Sequence, residues 1–159
     1  MAKMLIAYYS RSGHTQHMAE AVAEGAKEVE GVAVEVKAVA DVAAKDLLAY
    51  DAIVLGSPTY YGLPAAEVKK LLDDSVGLHG QLAGKVGGAF SSSANVGGGN
   101  ETTVMALIQA LLIHGMVVQG SASGDHYGPV AIGDLDDRSR GQCAALGRSI
   151  AALAVKLHG

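Results

Sequence analysis

A doubly wound α/β fold, with a parallel sheet covered by helices on both faces, follows from the way apolar patterns alternate along this chain. Short unbroken apolar runs, of the kind that strands buried on both faces show, take turns with segments whose apolar residues recur every three or four positions. The residues that break the runs are small and polar, and they collect just after the runs, where open α/β sheets bind ligands. The length of 159 residues suits one domain, 1–159, and no linker, repeat or low-complexity tract divides it.

The first run, Met4 to Tyr9, stops at Ser10-Arg11-Ser12-Gly13. Met18, Val22, Ala26 and Val29 then recur at helical spacing, with Glu20, Glu24, Lys27 and Glu28 between them, and Gly31 ends the helix. Val32 to Val39 alternates apolar and polar residues, the pattern of a strand nearer a sheet edge. A weak helical pattern covers Val42 to Leu48. Ala52-Ile53-Val54-Leu55 is a second buried run, broken by Gly56-Ser57-Pro58, and Val68, Leu71, Leu72 and Val76 mark the helix after it. Val86 to Phe90 is a glycine-softened strand followed by the loop Ser91 to Asn100. Val104, Leu107, Ile108, Leu111 and Leu112 form a strongly apolar helix. Met116-Val117-Val118 is the fifth strand; a long loop and a helix carrying Cys143, Leu146, Ile150, Leu153 and Leu157 complete the chain. Right-handed crossovers leave few ways to wind such a sheet.

Composition narrows the function classes. Half the residues (50%) are hydrophobic and 18% are charged, which excludes intrinsic disorder. The formal net charge of −4 argues against nucleic-acid binding, which a basic footprint dominates. Cys143 is the single cysteine, so an internal disulfide and a CxxC site are both excluded. The N-terminus enters a strand without a signal-like segment, and no apolar stretch approaches the roughly 18 residues of a membrane span. A cytoplasmic protein without membrane insertion is expected. Six scattered histidines without carboxylate partners at ligand spacing make no metal site.

Three loops then carry the chemistry. Ser10, Arg11, Ser12, Gly13, His14 and Thr15 lie between the first strand and first helix. A helix N-terminus offers unpaired N–H groups and a partial positive charge, which suit a phosphate. Three hydroxyls surround that position, and Gly13 allows close backbone approach. The alternative is an ordinary N-capped turn, because Ser and Thr are favoured there. Pro58, Thr59, Tyr60, Tyr61 and Gly62 pair a proline turn with two adjacent aromatics: a stacking wall for a flat ligand, or tyrosines packed over the sheet end. Ser92, Ser93, Ala94, Asn95, Gly97 and Gly98 belong to a small-residue loop whose amides can follow the edge of a planar, hydrogen-bonding ring; the alternative is a flexible surface loop. No residue is assigned a catalytic role.

The combination resembles the flavodoxin-like FMN site, and the match extends along the chain. Ala2-Lys3 through Tyr8-Tyr9-Ser10, Tyr50-Asp51-Ala52-Ile53, Gly56-Ser57-Pro58-Thr59, Phe90-Ser91-Ser92, Gly97-Gly98-Gly99, His114-Gly115-Met116-Val117 and Ala154-Val155-Lys156-Leu157 all resemble the WrbA-type NAD(P)H:quinone oxidoreductases. The resemblance implies a flavodoxin-like three-layer sandwich with a five-stranded parallel sheet in the order 2-1-3-4-5. It implies FMN held noncovalently, its phosphate at Ser10 to Thr15 and its ring against Thr59, Tyr60, Tyr61 and the Ser92 to Gly98 loop. It also implies NADH or NADPH as co-substrate, two-electron reduction of a quinone, and a homodimer or homotetramer.

This chain is shorter than that family's typical members and lacks insertions after its second and last strands. The family's pocket tryptophan falls at His79, and the two histidines often found before Gly-Met are Ile113-His114 here. His114 is therefore either a helix-end histidine favoured by the helix dipole or a site residue. His79, His126 and Tyr127 are candidates for the substrate pocket, whereas His17 and His158 read as surface. An electron carrier of the flavodoxin kind is the rival, but no carboxylate lies between Ser57 and Ala66 or between Ser91 and Asn100, and a neutral rim tolerates a doubly reduced flavin better. A non-enzymatic phosphate-binding module on the same fold is the third possibility. Asp73-Asp74 and Asp136-Asp137 read as solvated or capping residues.

Overall fold

A computed structural model describes residues 1–159. Seven strands, β1 (Ala2–Tyr8), β2 (Val32–Ala38), β3 (Ala52–Tyr60), β4 (Leu63–Pro64), β5 (Val86–Ser93), β6 (Val117–Val118) and β7 (Val130–Ile132), alternate with the helices α1 (His14–Lys27), α2 (Ala66–Asp74), α3 (Asn100–Ile113) and α4 (Asp137–His158). The sheet runs β2-β1-β3-β5-β6, parallel throughout, which is the order expected for five strands. β4 and β7 are additions: β4 turns back antiparallel on β3, and β7 runs parallel to the C-terminal half of β5.

Alternation of side chains across the pleat splits each apolar run between two cores. Met4 and Ile6 of β1 and Val54 of β3 pack with Met18 and Val22 of α1 and Ile150 and Ala154 of α4. Leu5, Ala7, Ile53 and Leu55 face the other way, against Val68 and Leu71 of α2 and Val104, Leu107 and Leu111 of α3. Each fully buried aliphatic side chain contributes about 1.5–3 kcal/mol. α1 and α4 approach closely because Gly25 and Gly147 lack a Cβ: one built on Gly147 would strike the carbonyl oxygen of Val22, and one on Gly25 that of Ala144.

The termini of the helices follow local chemistry. Asp136 caps α4, accepting from the Ser139 amide at 2.7 Å, while the Ser139 hydroxyl accepts from the Asp136 amide at 3.0 Å. Asp73 and Asp74 pair with Lys69 and Lys70 one turn away. Two expected boundaries move. The weak pattern over Val42 to Leu48 forms a short 3-10 segment, Ala44–Ala49, and a further 3-10 turn, Val39–Asp41, precedes it. The helix bearing Val68 ends at Asp74, and the 3-10 turn Ser75–Leu78 leaves Val76 exposed.

Candidate functional site

β1 leads across to β2 on one side while β3 lies on its other side, so the C-terminal ends of β1 and β3 form the point where winding reverses. Three chain segments meet there. After β1, the Tyr9 amide donates to the Gly56 carbonyl at 3.1 Å, tying the loop to β3. The chain then turns through Ser10 to Gly13, whose φ of +99° is open to glycine and strained for other residues. The Gly13 amide donates to Ser10 Oγ at 3.0 Å, and α1 starts when the His17 amide reaches the Gly13 carbonyl. Gly13 has no side chain to cap the helix, and the first turn holds no acidic residue. The leading amides of α1 are left to an outside acceptor. This is therefore not the ordinary capped turn: the cap position is glycine. Arg11 and Ser12 are exposed and His14 is half-buried, while Thr15 is buried, its Oγ1 3.0 Å from Ser92 Oγ on β5.

The aromatic segment is a hairpin, not a loop. β3 runs on through Pro58 and Thr59 to Tyr60, past Gly56, the last residue paired with β1. Pro58 sits where β1 no longer runs alongside, as a proline in a strand requires. Tyr61 (φ +52°) and Gly62 (φ +75°) then make the tight turn into β4, pairing Tyr60 with Leu63. A bulky residue at positive φ is a strained outlier, and Tyr61 is fully exposed (106%). Thr102 Oγ1 lies 2.9 Å from the carbonyl oxygens of both Gly62 and Gly99, within reach of either for its one proton, so the turn is held against the start of α3. A Cβ on Gly99 would lie 2.7 Å from the Gly62 Cα; this contact makes Gly99 part of the site's framework.

The third segment also differs from the expected loop. Ser91, Ser92 and Ser93 are buried residues of β5, flanked by β3, which pairs Ser57 with Ser91 and Pro58 with Ser92, and by β7, which pairs Val130 with Ser91, Ala131 with Ser92 and Ile132 with Ser93. Their hydroxyls bond locally, Ser91 with Thr59 Oγ1 at 2.9 Å and Ser93 with Asn100 Nδ2 at 2.9 Å. Only 94–99 is loop, with Ala94, Asn95 and Gly97 exposed.

These segments enclose an open cleft of about 420 Å³. Ser10, Arg11, Ser12, His14, Thr15, Pro58, Thr59, Tyr60, Ser92, Ser93 and Ala94 line it, and Gly13 holds the turn beneath. Tyr61, Gly62, Asn95, Gly97 and Gly98 stand outside its wall. Gly133, absent from the sequence reading, completes the lining: its amide donates to the Ser93 carbonyl at 2.8 Å directly after β7. The only sequence signal for it was the three-residue apolar run before it. Arg11 is the one formal charge on the cleft wall, and no carboxylate lines it. Nearby, His17 Nδ1 lies 2.8 Å from Asp134 Oδ1, so this surface histidine does have a carboxylate partner. That contact, and the Leu135 amide, hold the Asp134 carboxyl below its ordinary range.

The three substrate-pocket candidates lie elsewhere. His126 and Tyr127 line a recess between the loop before β7 and α4, and the His126 ring is engaged through Nδ1 with the Ser121 carbonyl at 2.8 Å. His79 lines a separate cavity between α2 and α3. His114 shares that cavity. It is the residue that caps α3 at its C-terminal end, and burial pushes its pKa down, with His79 adding to the shift.

Residues 6–146 match the flavodoxin family. A flavodoxin of Aquifex aeolicus (strain VF5) is 40% identical over 95% of this chain and 86% of its own. An NAD(P)H dehydrogenase (quinone) of Rhodopseudomonas palustris (strain TIE-1) is 39% identical over 100% of both chains; the alignment takes 200 positions against 159 residues here, so that relative carries segments this chain lacks. Among solved structures, a flavodoxin, WrbA-like protein from Agrobacterium tumefaciens superposes with a TM-score of 0.83 at 29% identity over 99% of each chain. No helix is long and apolar enough to cross a membrane.

Proposed function

The chain belongs to the flavodoxin family, and on that premise we propose that it binds FMN in the cleft between the ends of β1, β3 and β5 and works as an NAD(P)H:quinone oxidoreductase. The observation that carries the reading is the uncapped N-terminus of α1 opening into a cleft lined by hydroxyls and free of carboxylates. The residues fit a phosphate: the first amides of α1 lack an internal acceptor, Gly13 keeps the approach clear, and the side chains of Ser10, Ser12 and Thr15 stand around it. Bound FMN would supply the redox chemistry, taking two electrons from the nicotinamide and delivering them to the quinone.

The protein's own work is binding and orientation. The buried Thr15–Ser92 contact and the part-buried Thr59–Ser91 contact lock the hydroxyl rotamers of the wall. Tyr60 brings a phenol to the cleft, where it would offer a planar bound group an aromatic neighbour and a hydroxyl proton. Arg11 offsets negative charge gathering in the cleft, which favours a two-electron over a one-electron role. The resemblance to quinone dehydrogenases along the full chain supports the same assignment. A carrier that hands electrons to a protein partner is the second reading, favoured by the 40% identity to a flavodoxin.

Oxidation of NADH and NADPH by the FMN-loaded protein, with and without benzoquinone, tests the proposal. Turnover that requires both FMN and quinone is expected. Tight FMN binding without turnover transfers the assignment to the carrier.

A further inference from the structure

The sheet has one long edge that no other strand covers. In the order β2-β1-β3-β5-β6, the strand β6 ends one side with 2 residues, while β2 runs for 7 along the other. A free edge of that length is a template for another chain. Which peptide groups of β2 face outward follows from its pairing with β1. The Ala2 amide donates to the Gly31 carbonyl while Ala2 stands opposite Val32, and the register continues unbroken to Tyr8 opposite Ala38. Successive residues turn alternate ways, so Ala33, Glu35 and Lys37 direct their peptide groups to β1, and Val34, Val36 and Ala38 turn theirs away from the sheet.

The side chains on this edge complement a copy of themselves. Glu35 Oε2 and Lys37 Nζ lie 2.7 Å apart on one face of β2, and the Tyr50 hydroxyl donates to the same Oε2 at 2.9 Å and accepts from Nζ at 3.0 Å. Bonding to Lys37 and then to Tyr50 holds the Glu35 carboxyl below the usual carboxylate range, and bonding to Glu35 and then to Tyr50 lifts Lys37 above its ordinary value, so both are charged at neutral pH. Each keeps capacity for one more partner, the third N–H of Lys37 and the Oε1 of Glu35. On the opposite face Val36 is 36% exposed.

Antiparallel pairing with a second copy must set outward residues opposite outward residues, which permits only alternate registers. With Val36 opposite the partner's Val36, Val34 meets the partner's Ala38 and Glu35 meets the partner's Lys37. The Glu35 and Lys37 positions are then non-hydrogen-bonded ones, where facing side chains come closest. The two neighbouring registers of the same phase set Glu35 against the partner's Glu35 or Lys37 against the partner's Lys37, and like charges directly opposite destabilise a sheet. Lysine on an edge strand ordinarily blunts it; with Glu35 two positions away, the same lysine is matched by a copy of this strand.

We propose that β2 is a self-association surface: two copies of the chain join antiparallel along it about a twofold axis at Val36, and their sheets become one. Four charges alternate in sign around the axis, Val36 covers the partner's Val36, and the outer amides of Val34, Val36 and Ala38 gain acceptors. The contact is small, so the dimer forms with rising concentration. It does not depend on the cofactor or the reaction assigned to the cleft.

Sedimentation of the FMN-loaded protein from micromolar to millimolar concentration, with amide hydrogen exchange at both ends of that range, tests the proposal. Dimerisation that slows exchange at Val34, Val36 and Ala38 is expected, with little change at Ala33, Glu35 and Lys37, which β1 already holds. Glu35→Lys and Lys37→Glu each place like charges opposite and should raise the dimer dissociation constant at least about tenfold. An equimolar mixture of the two variants restores every opposite-charge pair and should recover a mixed dimer; unchanged FMN affinity reports that each variant is folded. The exchange measurement uses the unaltered protein, so the outcome does not hinge on either variant. A chain that stays monomeric at millimolar concentration, or a dimer whose outer β2 amides exchange as fast as the monomer's, would overturn the proposal. So would folded single variants that dimerise as before, or that do not pair when mixed.

Discussion

Replacing Tyr61 by asparagine should make the protein more stable while impairing whatever the hairpin tip does. Tyr61 is the one non-glycine residue at positive φ, and its turn with Gly62 needs positive φ at both central positions. That is the demand of a type I′ hairpin turn, for which Asn-Gly is the favoured pair. The left-handed region costs an ordinary L-residue roughly 1–2 kcal/mol, and asparagine much less. At 106% relative exposure Tyr61 packs against nothing, so no burial is lost in exchange. Asparagine also avoids the added unfolded-state entropy that glycine would bring. The expected gain is about 1 kcal/mol, which for a chain of this size raises Tm by about 2–4 °C. Thermal unfolding of the FMN-loaded and FMN-free proteins measures it. The same variant assayed for quinone reduction shows whether the strain serves function, in which case turnover falls as stability rises. A lower Tm would refute the reasoning, because it would mean that the exposed ring makes a stabilising contact or that the backbone strain is absent.

Other expectations follow from the same structure. Thr15→Val removes the buried hydroxyl beside the α1 amides and orphans Ser92 Oγ; FMN affinity should fall by about 1.5–3 kcal/mol, roughly ten- to a hundredfold, in a fluorescence titration. Gly147→Ala should destabilise by about 1–3 kcal/mol in denaturant melts, since the new methyl meets the Val22 backbone. Gly141→Ala on the same helix, with nothing near its Cβ position, should instead stabilise by up to about 1 kcal/mol. His114 is harder to protonate folded than unfolded, so the unfolded chain binds the extra proton first. Stability should therefore be unaffected by this group above the ordinary value of 6.5 and decline as pH falls below it, a slope that His114→Phe removes. A melt series across that range in which the two proteins keep the same slope would count against the burial of His114.

Much of the architecture was already legible in the chain. The run Met4 to Ala7 needs only the two-residue repeat of a strand to send Met4 and Ile6 to one core and Leu5 and Ala7 to the other. The break at Ser10 to Thr15 marks the end of β1 because hydroxyls and Gly13 cannot continue an apolar strand, and the same break supplies the lining of the cleft. These are local facts, carried by neighbours a few positions apart. What the sequence could not decide was pairing at a distance. Ser91, Ser92 and Ser93 look like loop residues until the extended end of β3 and β7 flank them, and β7 is only three residues long, too short to announce itself. Gly133 enters the cleft by the same route. Tyr61 and Tyr60 are adjacent in sequence, yet one stands in solvent and the other on the cleft wall, since the turn at Tyr61-Gly62 forms only when β4 folds back on β3. His79, His126 and Tyr127 were grouped by resemblance and are separated by the packing of α2, α3 and α4. Periodicity sorts residues into strands, helices and faces; which faces meet, and which polar atoms are then left without partners, is decided when the sheet and its helices bury their surfaces together.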